Sequence, residues 1–97
     1  MKSTSEYKKL LHNYYVKTAK SYGVKRMAMF GSTARGEQNE HSDVDIAYEG
    51  DANILLRSRM KRELESILGC TVDIVRLRKS LADSSFEESI NQDLLYV

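Results

Sequence analysis

The feature that most constrains this chain is a short polar segment between two apolar runs, residues 31–45 (GSTARGEQNEHSDVD). A Gly-Ser pair follows the apolar run 27–30, and two alternating aspartates, Asp43 and Asp45, open the apolar run 44–48. Successive strand residues point to opposite faces, so these aspartates share one face, about 6.5 Å apart at about 3.3 Å per residue. The segment therefore predicts a glycine turn and two carboxylates at one edge of a small sheet.

The rest of the chain alternates helical and strand patterns. Apolar residues at helical spacing predict three helices, over 5–22, 52–68 and 80–93. Apolar, β-rich runs predict three strands, over 25–30, 44–48 and 70–76. Shorter pieces are a helical turn over 32–36, a polar loop over 37–42 and an extended segment over 94–97. The chain of 97 residues is expected to form one domain, 1–97, of the α+β class, with a small mixed sheet and helices on one face.

Charge is balanced overall but uneven along the chain. The net charge of +1 weighs against nucleic acid as a partner. Residues 1–29 carry seven Lys or Arg against one acid, and residues 57–79 carry seven against three. Residues 37–51 carry six acids and no base. An acidic centre between basic flanks suits a site for cations and phosphates, although solvated helix faces would give the same distribution.

Other features of the sequence exclude several classes of protein. The single cysteine, Cys70, excludes an internal disulfide and a cysteine zinc cluster. No apolar run approaches the roughly 20 residues that span a bilayer, and no segment resembles a signal peptide. We therefore expect a cytoplasmic protein with no membrane partner.

A third aspartate, Asp73, is the only acid in the predicted strand 70–76. If this strand lies beside 44–48, Asp73 completes a three-carboxylate cluster with Asp43 and Asp45. Hard oxygen ligands favour Mg²⁺ or Mn²⁺, and two such ions would activate an attacking oxygen and stabilise a leaving pyrophosphate. The alternative is an ion pair between Asp73 and one of three arginines, Arg57, Arg62 or Arg76.

The Gly-Ser pair supplies the other half of the predicted site. Gly31 allows a sharp bend and a close approach to a ligand. Ser32 opens a helical turn whose free N–H groups and hydroxyl suit an anion, and Arg35 is placed to reach the same phosphates. The alternative for Arg35 is a plain surface charge. The pattern is neither a Walker loop nor a dinucleotide fingerprint, and it is not an EF-hand loop. It predicts nucleotidyl transfer from a nucleoside triphosphate.

Taken together, Gly31-Ser32, the Asp43-Val44-Asp45 triplet and Asp73 resemble the minimal nucleotidyltransferases (MNT) of the DNA polymerase β superfamily. The resemblance covers nearly the whole chain, and it implies that superfamily's two-layer nucleotidyltransferase core. It implies that Asp43 and Asp45 bind both metals and that Asp73 binds the catalytic one. It also implies that Gly31 and Ser32 hold the β and γ phosphates of ATP.

The chain departs from the family at one position of this turn. Family members commonly carry a basic residue where Thr33 stands. This difference removes one possible phosphate contact and leaves more of that role to Arg35.

The resemblance also implies a biological setting. Similar small proteins are antitoxins paired with a helical HEPN ribonuclease, and they transfer AMP from ATP onto a tyrosine of that toxin. A chain of this size has no room for a separate acceptor-binding domain, so a partner would supply the acceptor. Two alternatives stay open: an antitoxin that acts by binding alone with a vestigial nucleotide site, and a transferase for a small molecule or an RNA end.

Overall fold

A capping box fixes the start of the first helix, α1 (Thr4–Lys17). Ser3 Oγ accepts a hydrogen bond from the Glu6 backbone N–H at 3.2 Å, and Glu6 Oε1 accepts one from the Ser3 N–H at 3.2 Å. The structure is a computed structural model that describes residues 2–36, 43–77 and 94–97. The loop predicted over 37–42 and the helix predicted over 80–93 lie outside the described residues.

The helix predicted over 5–22 is present in two pieces. After α1, the chain forms a 3-10 turn over Ala19–Tyr22 and leaves it at Gly23, which has a φ of 88°. The break falls at Thr18, whose φ of −127° and ψ of −57° lie outside the helical region. The apolar spacing continues across Thr18, so the sequence pattern alone does not show this break.

A four-stranded mixed sheet forms the second layer. Its strands are β1 (Arg26–Phe30), β2 (Val44–Glu49), β3 (Val72–Arg76) and β4 (Leu95–Tyr96), in the order β3-β2-β1-β4. Strand β1 pairs antiparallel with both β2 and β4, whereas β2 and β3 are parallel. The α+β class, the small mixed sheet and the three predicted strands are confirmed. The expected number of strands was too low, because the extended segment at 94–97 also pairs with β1.

The parallel pair requires a crossover, and the third helix provides it. After the short helix α2 (Gly31–Ala34), helix α3 (Ile54–Leu68) connects β2 to β3. Asn53 Oδ1 caps α3 by accepting hydrogen bonds from the Leu55 and Leu56 N–H groups at 3.0 and 3.1 Å. The helix ends at Gly69, whose φ is 72°.

The main core lies between one face of the sheet and the two long helices. Alternate residues of β2 and β3 enter it, and the residues between them lie on the opposite face. The buried core residues from α1 and α3 are Tyr7, Leu11, Tyr14, Met60, Leu64 and Leu68. The aspartates of β2 and β3 are therefore on the face that α1 and α3 do not cover. Among the described residues, no helix is long and apolar enough to cross a membrane.

Candidate active site

The sharp bend predicted after β1 is present at Gly31. This glycine has a φ of 74°, a left-handed conformation that favours glycine, and it starts the four-residue helix α2. A Cβ atom at this position would collide with Asp45 Oδ2 and would lie 3.3 Å from Asp45 Cγ. The absence of a side chain at Gly31 therefore lets the turn lie directly against the Asp45 carboxylate.

Strand pairing brings two of the predicted carboxylates side by side. Asp45 of β2 and Asp73 of β3 are register partners in the parallel pair. Neighbouring strands lie about 4.8 Å apart, and register partners project to the same face. Asp45 is half-buried, whereas Asp73 is exposed. Asp43 is also exposed and precedes Val44, the first residue of β2.

The electrostatics of Asp45 link the predicted site residues. Burial raises the pKa of the Asp45 carboxyl, and the negative charges of Asp73 and then Asp43 raise it further. Arg35 opposes this effect and lowers the pKa of Asp45. The three aspartates and Arg35 are therefore close enough to influence one ionisation.

The donor set suits a hard divalent cation. Three carboxylates at one sheet edge raise each other's electrostatic energy, and a cation between them would relieve the repulsion. Across 2–36, 43–77 and 94–97, however, no group of three His, Cys, Asp or Glu side chains is gathered closely enough to hold a metal ion. Strand pairing aligns Asp45 with Asp73, but the described side chains do not form a ready-made three-residue metal site. The metal-binding roles of the three aspartates remain a prediction.

The ion-pair alternative for Asp73 receives no support. Within the described ranges, Asp73 forms no ion pair with Arg57, Arg62 or Arg76. Arg76 Nη1 instead donates a hydrogen bond to the Gly50 carbonyl at 3.0 Å. The Asp73 side chain therefore lies beside Asp45 in the sheet, with none of these three arginines as an ion-pair partner.

The remaining predicted residues lie in helix α2 or directly after it. Ser32 is its half-buried second residue, and the exposed Arg35 follows its last residue. The Arg35 N–H donates to the Gly31 carbonyl at 3.2 Å. Thr33 is fully buried, and its Oγ1 has no hydrogen-bond partner among the described residues. The phosphate-binding roles predicted for Gly31, Ser32 and Arg35 stay predictions.

Sequence reasoning missed one contact of this turn. Thr4, the first residue of α1, donates a hydrogen bond from its hydroxyl to the Thr33 carbonyl at 2.7 Å. The two residues are 29 positions apart, and no local pattern links them. Only the packing of α1 beside α2 reveals the contact.

Known families and proteins match most or all of this chain in sequence. The model of the nucleotidyltransferase domain family matches residues 13–97. A protein of Methanocaldococcus jannaschii, described as a candidate protein adenylyltransferase, is 42% identical over 101 residues, with 100% of both chains covered. The protein adenylyltransferase MntA of Thermococcus cleftensis is 31% identical over 99 residues, with 100% of this chain and 98% of that protein covered.

Solved structures show the same fold. A chain of a toxin–antitoxin crystal structure with AMP-PNP has a TM-score of 0.70 and 25% identity, covering 87% of this chain and 69% of that chain. A chain from the complex of a tri-AMPylated Shewanella oneidensis HEPN toxin with its MNT antitoxin has a TM-score of 0.64. It covers 92% of this chain and 70% of that chain, and its 22% identity supports the fold alone.

Proposed function

The chain belongs to the nucleotidyltransferase domain family, and on that premise we propose that it transfers AMP from ATP to a hydroxyl group of a partner protein. The observation that carries the proposal is the contact between the Gly31 turn and Asp45, whose register partner is Asp73. This contact joins a candidate phosphate-binding turn to a pair of carboxylates. Nucleotidyl transfer needs both at one place, because the triphosphate is bound as its metal complex.

The roles that we propose for the aspartates follow from the family resemblance and from the chemistry of their carboxylates. Asp43, Asp45 and Asp73 would hold two Mg²⁺ ions, for which Mn²⁺ is a chemically similar substitute. These ions would make the acceptor hydroxyl more acidic and neutralise charge on the leaving pyrophosphate.

The turn after β1 holds the other end of the nucleotide. Gly31 and Ser32 bind the β and γ phosphates, and Arg35 adds a positive charge beside them. In the transfer step, the acceptor oxygen bonds to the α-phosphorus while the bond from that phosphorus to pyrophosphate breaks. Pyrophosphate and the hydroxyl proton are released.

The partner we propose is a HEPN-type toxin, with this chain as the antitoxin, and both act in the cytoplasm. Support comes from relatives named protein adenylyltransferases and from the fold shared with chains of toxin–antitoxin complexes. In one of those complexes the HEPN toxin is tri-AMPylated. A tyrosine of the toxin is the acceptor that the family resemblance implies.

The test uses ATP labelled at the α-phosphate, Mg²⁺ and the HEPN-type toxin that we propose as partner, purified in complex with this chain. We expect label on the toxin band with the wild type and none with the double variant Asp43→Asn, Asp45→Asn. ATP labelled at the γ-phosphate should leave the toxin unlabelled, which excludes phosphorylation. Asp51→Asn is the matched control, because Asp51 is an exposed acid just beyond β2 and should not affect transfer.

The same experiment separates the two alternatives. If no label transfers from any of the four nucleotides while the complex still forms on a sizing column, binding alone replaces our proposal. If label appears only on RNA or on a small molecule from an added extract, the acceptor is not the partner protein.

A further inference from the structure

The turn that carries Gly31 and Ser32 has few internal restraints. Helix α2 has only four residues, Gly31–Ala34. Two of its backbone hydrogen bonds, from Arg35 N–H to the Gly31 carbonyl and from Gly36 N–H to the Thr33 carbonyl, are both 3.2 Å long. A helix this short does not hold its own position, because isolated helical turns are unstable in water. Its placement against Asp45 therefore depends on contacts with the rest of the fold.

One such contact comes from α1. The Thr4 hydroxyl donates to the Thr33 carbonyl at 2.7 Å, so this carbonyl accepts both the Gly36 N–H and the Thr4 hydroxyl. The Thr4 oxygen also lies 3.8 Å from the position that a Cβ would take at Gly36. Thr4 thus contacts the end of α2 that is farther from Gly31, next to Gly36.

Thr4 is itself firmly placed. The capping box at Ser3 fixes the first turn of α1, in which Thr4 is the first residue. Lys2 Nζ donates to the Leu68 carbonyl at 3.1 Å and connects the start of α1 to the end of α3. Tyr7, one turn later, is buried in the core. The hydroxyl at position 4 therefore acts from a rigid element.

We propose that Thr4 is a positioning residue, whose hydrogen bond to the Thr33 carbonyl holds the Gly31-Ser32 turn in place against Asp45. The inference rests on the proposed function, in which this turn binds phosphates. Thr4 acts through the backbone of α2 and has no contact with the reacting groups. A displaced turn would still accept the triphosphate but would misalign the α-phosphorus with the carboxylates.

The test compares two substitutions at position 4 with a matched control. Thr4→Val keeps the shape and removes the donor, whereas Thr4→Ser keeps the donor. Tyr15→Phe is the control, because the Tyr15 hydroxyl also joins α1 to a backbone carbonyl, that of Lys25, at 2.6 Å. Unlike Thr4, it does so away from α2.

We expect Thr4→Val to lower kcat for transfer on the order of tenfold or more, because small misplacements of reacting groups are costly. The Kd for Mg²⁺–ATP should change less than kcat. Thr4→Ser and Tyr15→Phe should keep wild-type values. A Thr4→Val protein with wild-type kcat would overturn the proposal, and so would a Tyr15→Phe protein with an equal loss.

A second readout does not depend on transfer. Hydrogen exchange of the Arg35 and Gly36 amides should be faster in Thr4→Val than in the wild type, and Thr4→Ser should restore it. If the wild type itself transfers no AMP, the proposed function fails, but this readout still tests the role of Thr4. Unchanged exchange of both amides in Thr4→Val would then reject that role.

Discussion

At the scale of single residues, Asp45 combines a place in the proposed site with an energetic cost. It is half-buried beside Gly31 and next to Asp73 in the sheet. Its raised pKa means that the folded protein disfavours the charged form. We therefore expect Asp45 to lower stability whenever it is ionised and no metal ion is bound beside it.

Asp45→Asn should raise the Tm in metal-free buffer at pH 7 while abolishing transfer. The pKa of Asp45 is higher in the folded state than in the unfolded state, so the ionised carboxylate destabilises the fold fully at pH values above the folded-state pKa. This destabilisation is lost as the pH falls through that pKa and the carboxyl becomes protonated. The gain in Tm from Asp45→Asn should therefore shrink toward pH 4. Thermal unfolding in EDTA across this pH range measures it, and about 1 kcal/mol corresponds to about 4–8 °C in a domain of this size.

Asp51→Asn is again the control, since Asp51 is exposed. Equal Tm gains for the two variants would mean a general effect of net charge. A lower Tm for Asp45→Asn would contradict the assigned cost of burial.

A second prediction concerns the two left-handed glycines around α2. Gly31 and Gly36 have φ values of 74° and 73°, so alanine at either position costs roughly 1–2 kcal/mol of backbone strain. Among the described residues, a carboxylate lies against Gly31 but not against Gly36, where the nearest described atom to an added Cβ is Thr4 Oγ1, at 3.8 Å. Gly31→Ala should therefore lower the free energy of unfolding by more than Gly36→Ala. Urea unfolding of both variants measures the difference, and equal losses would refute the Asp45 contact.

At the scale of elements, α3 decides the geometry of the carboxylates. It makes the crossover that places β3 parallel to β2, and that arrangement aligns Asp45 with Asp73. Its start depends on Asn53, whose side chain satisfies two N–H groups of the first turn. The cap lies on an exposed loop between the two strands that carry Asp45 and Asp73.

Asn53→Ala should lower the free energy of unfolding by about 1 kcal/mol, within a range of about 0.5–2 kcal/mol for lost caps. Asn53→Asp should keep most of the stability, because aspartate is an equally good N-cap. Chemical denaturation of both variants measures the effect. Equal losses for alanine and aspartate would show that the cap hydrogen bonds do not contribute.

Elements that are defined by a local sequence pattern were predicted better than elements that depend on distant contacts or on backbone angles. The apolar spacing of α3 and its Gly69 stop lie within one segment, so a local pattern was sufficient. Strand β4 has two residues, Leu95 and Tyr96, and exists only because β1 offers an edge. The end of α1 at Lys17 is set by the backbone angles of Thr18, which no side-chain pattern specified.

The candidate site likewise combines residues that a local pattern predicts with residues that are brought together from distant parts of the chain. Gly31, Asp43 and Asp45 fall within one short segment, so their spacing alone predicted a common edge. The alignment of Asp73 required the additional assumption that its strand lies beside β2, which the register confirms. The contact between Thr4 and Thr33 joins two elements that are distant in sequence, and no residue pattern predicts it.

At the scale of the whole molecule, nucleotide binding should stabilise the fold as a unit. A ligand that binds only the folded state adds stability that grows with the logarithm of its concentration, about 2.7 kcal/mol at 100 times Kd. Mg²⁺–ATP should therefore raise the Tm of the wild type. It should leave that of the double variant Asp43→Asn, Asp45→Asn nearly unchanged.

Differential scanning fluorimetry measures this shift, with ATP in EDTA as the metal-free control. An equal rise with and without Mg²⁺ would show that the carboxylates do not take part in nucleotide binding. An equal rise in wild type and double variant would lead to the same conclusion.

The register between Asp45 and Asp73 also has a kinetic consequence. Contacts between residues far apart in sequence form slowly in folding, because the chain between them must first lose conformational entropy. The paired aspartates meet only after the intervening helix has folded back across the sheet. A chain that has not yet completed this crossover lacks the aspartate pair of the proposed nucleotide site. Recovery of ATP binding after dilution from denaturant should therefore follow the slowest refolding phase of the sheet.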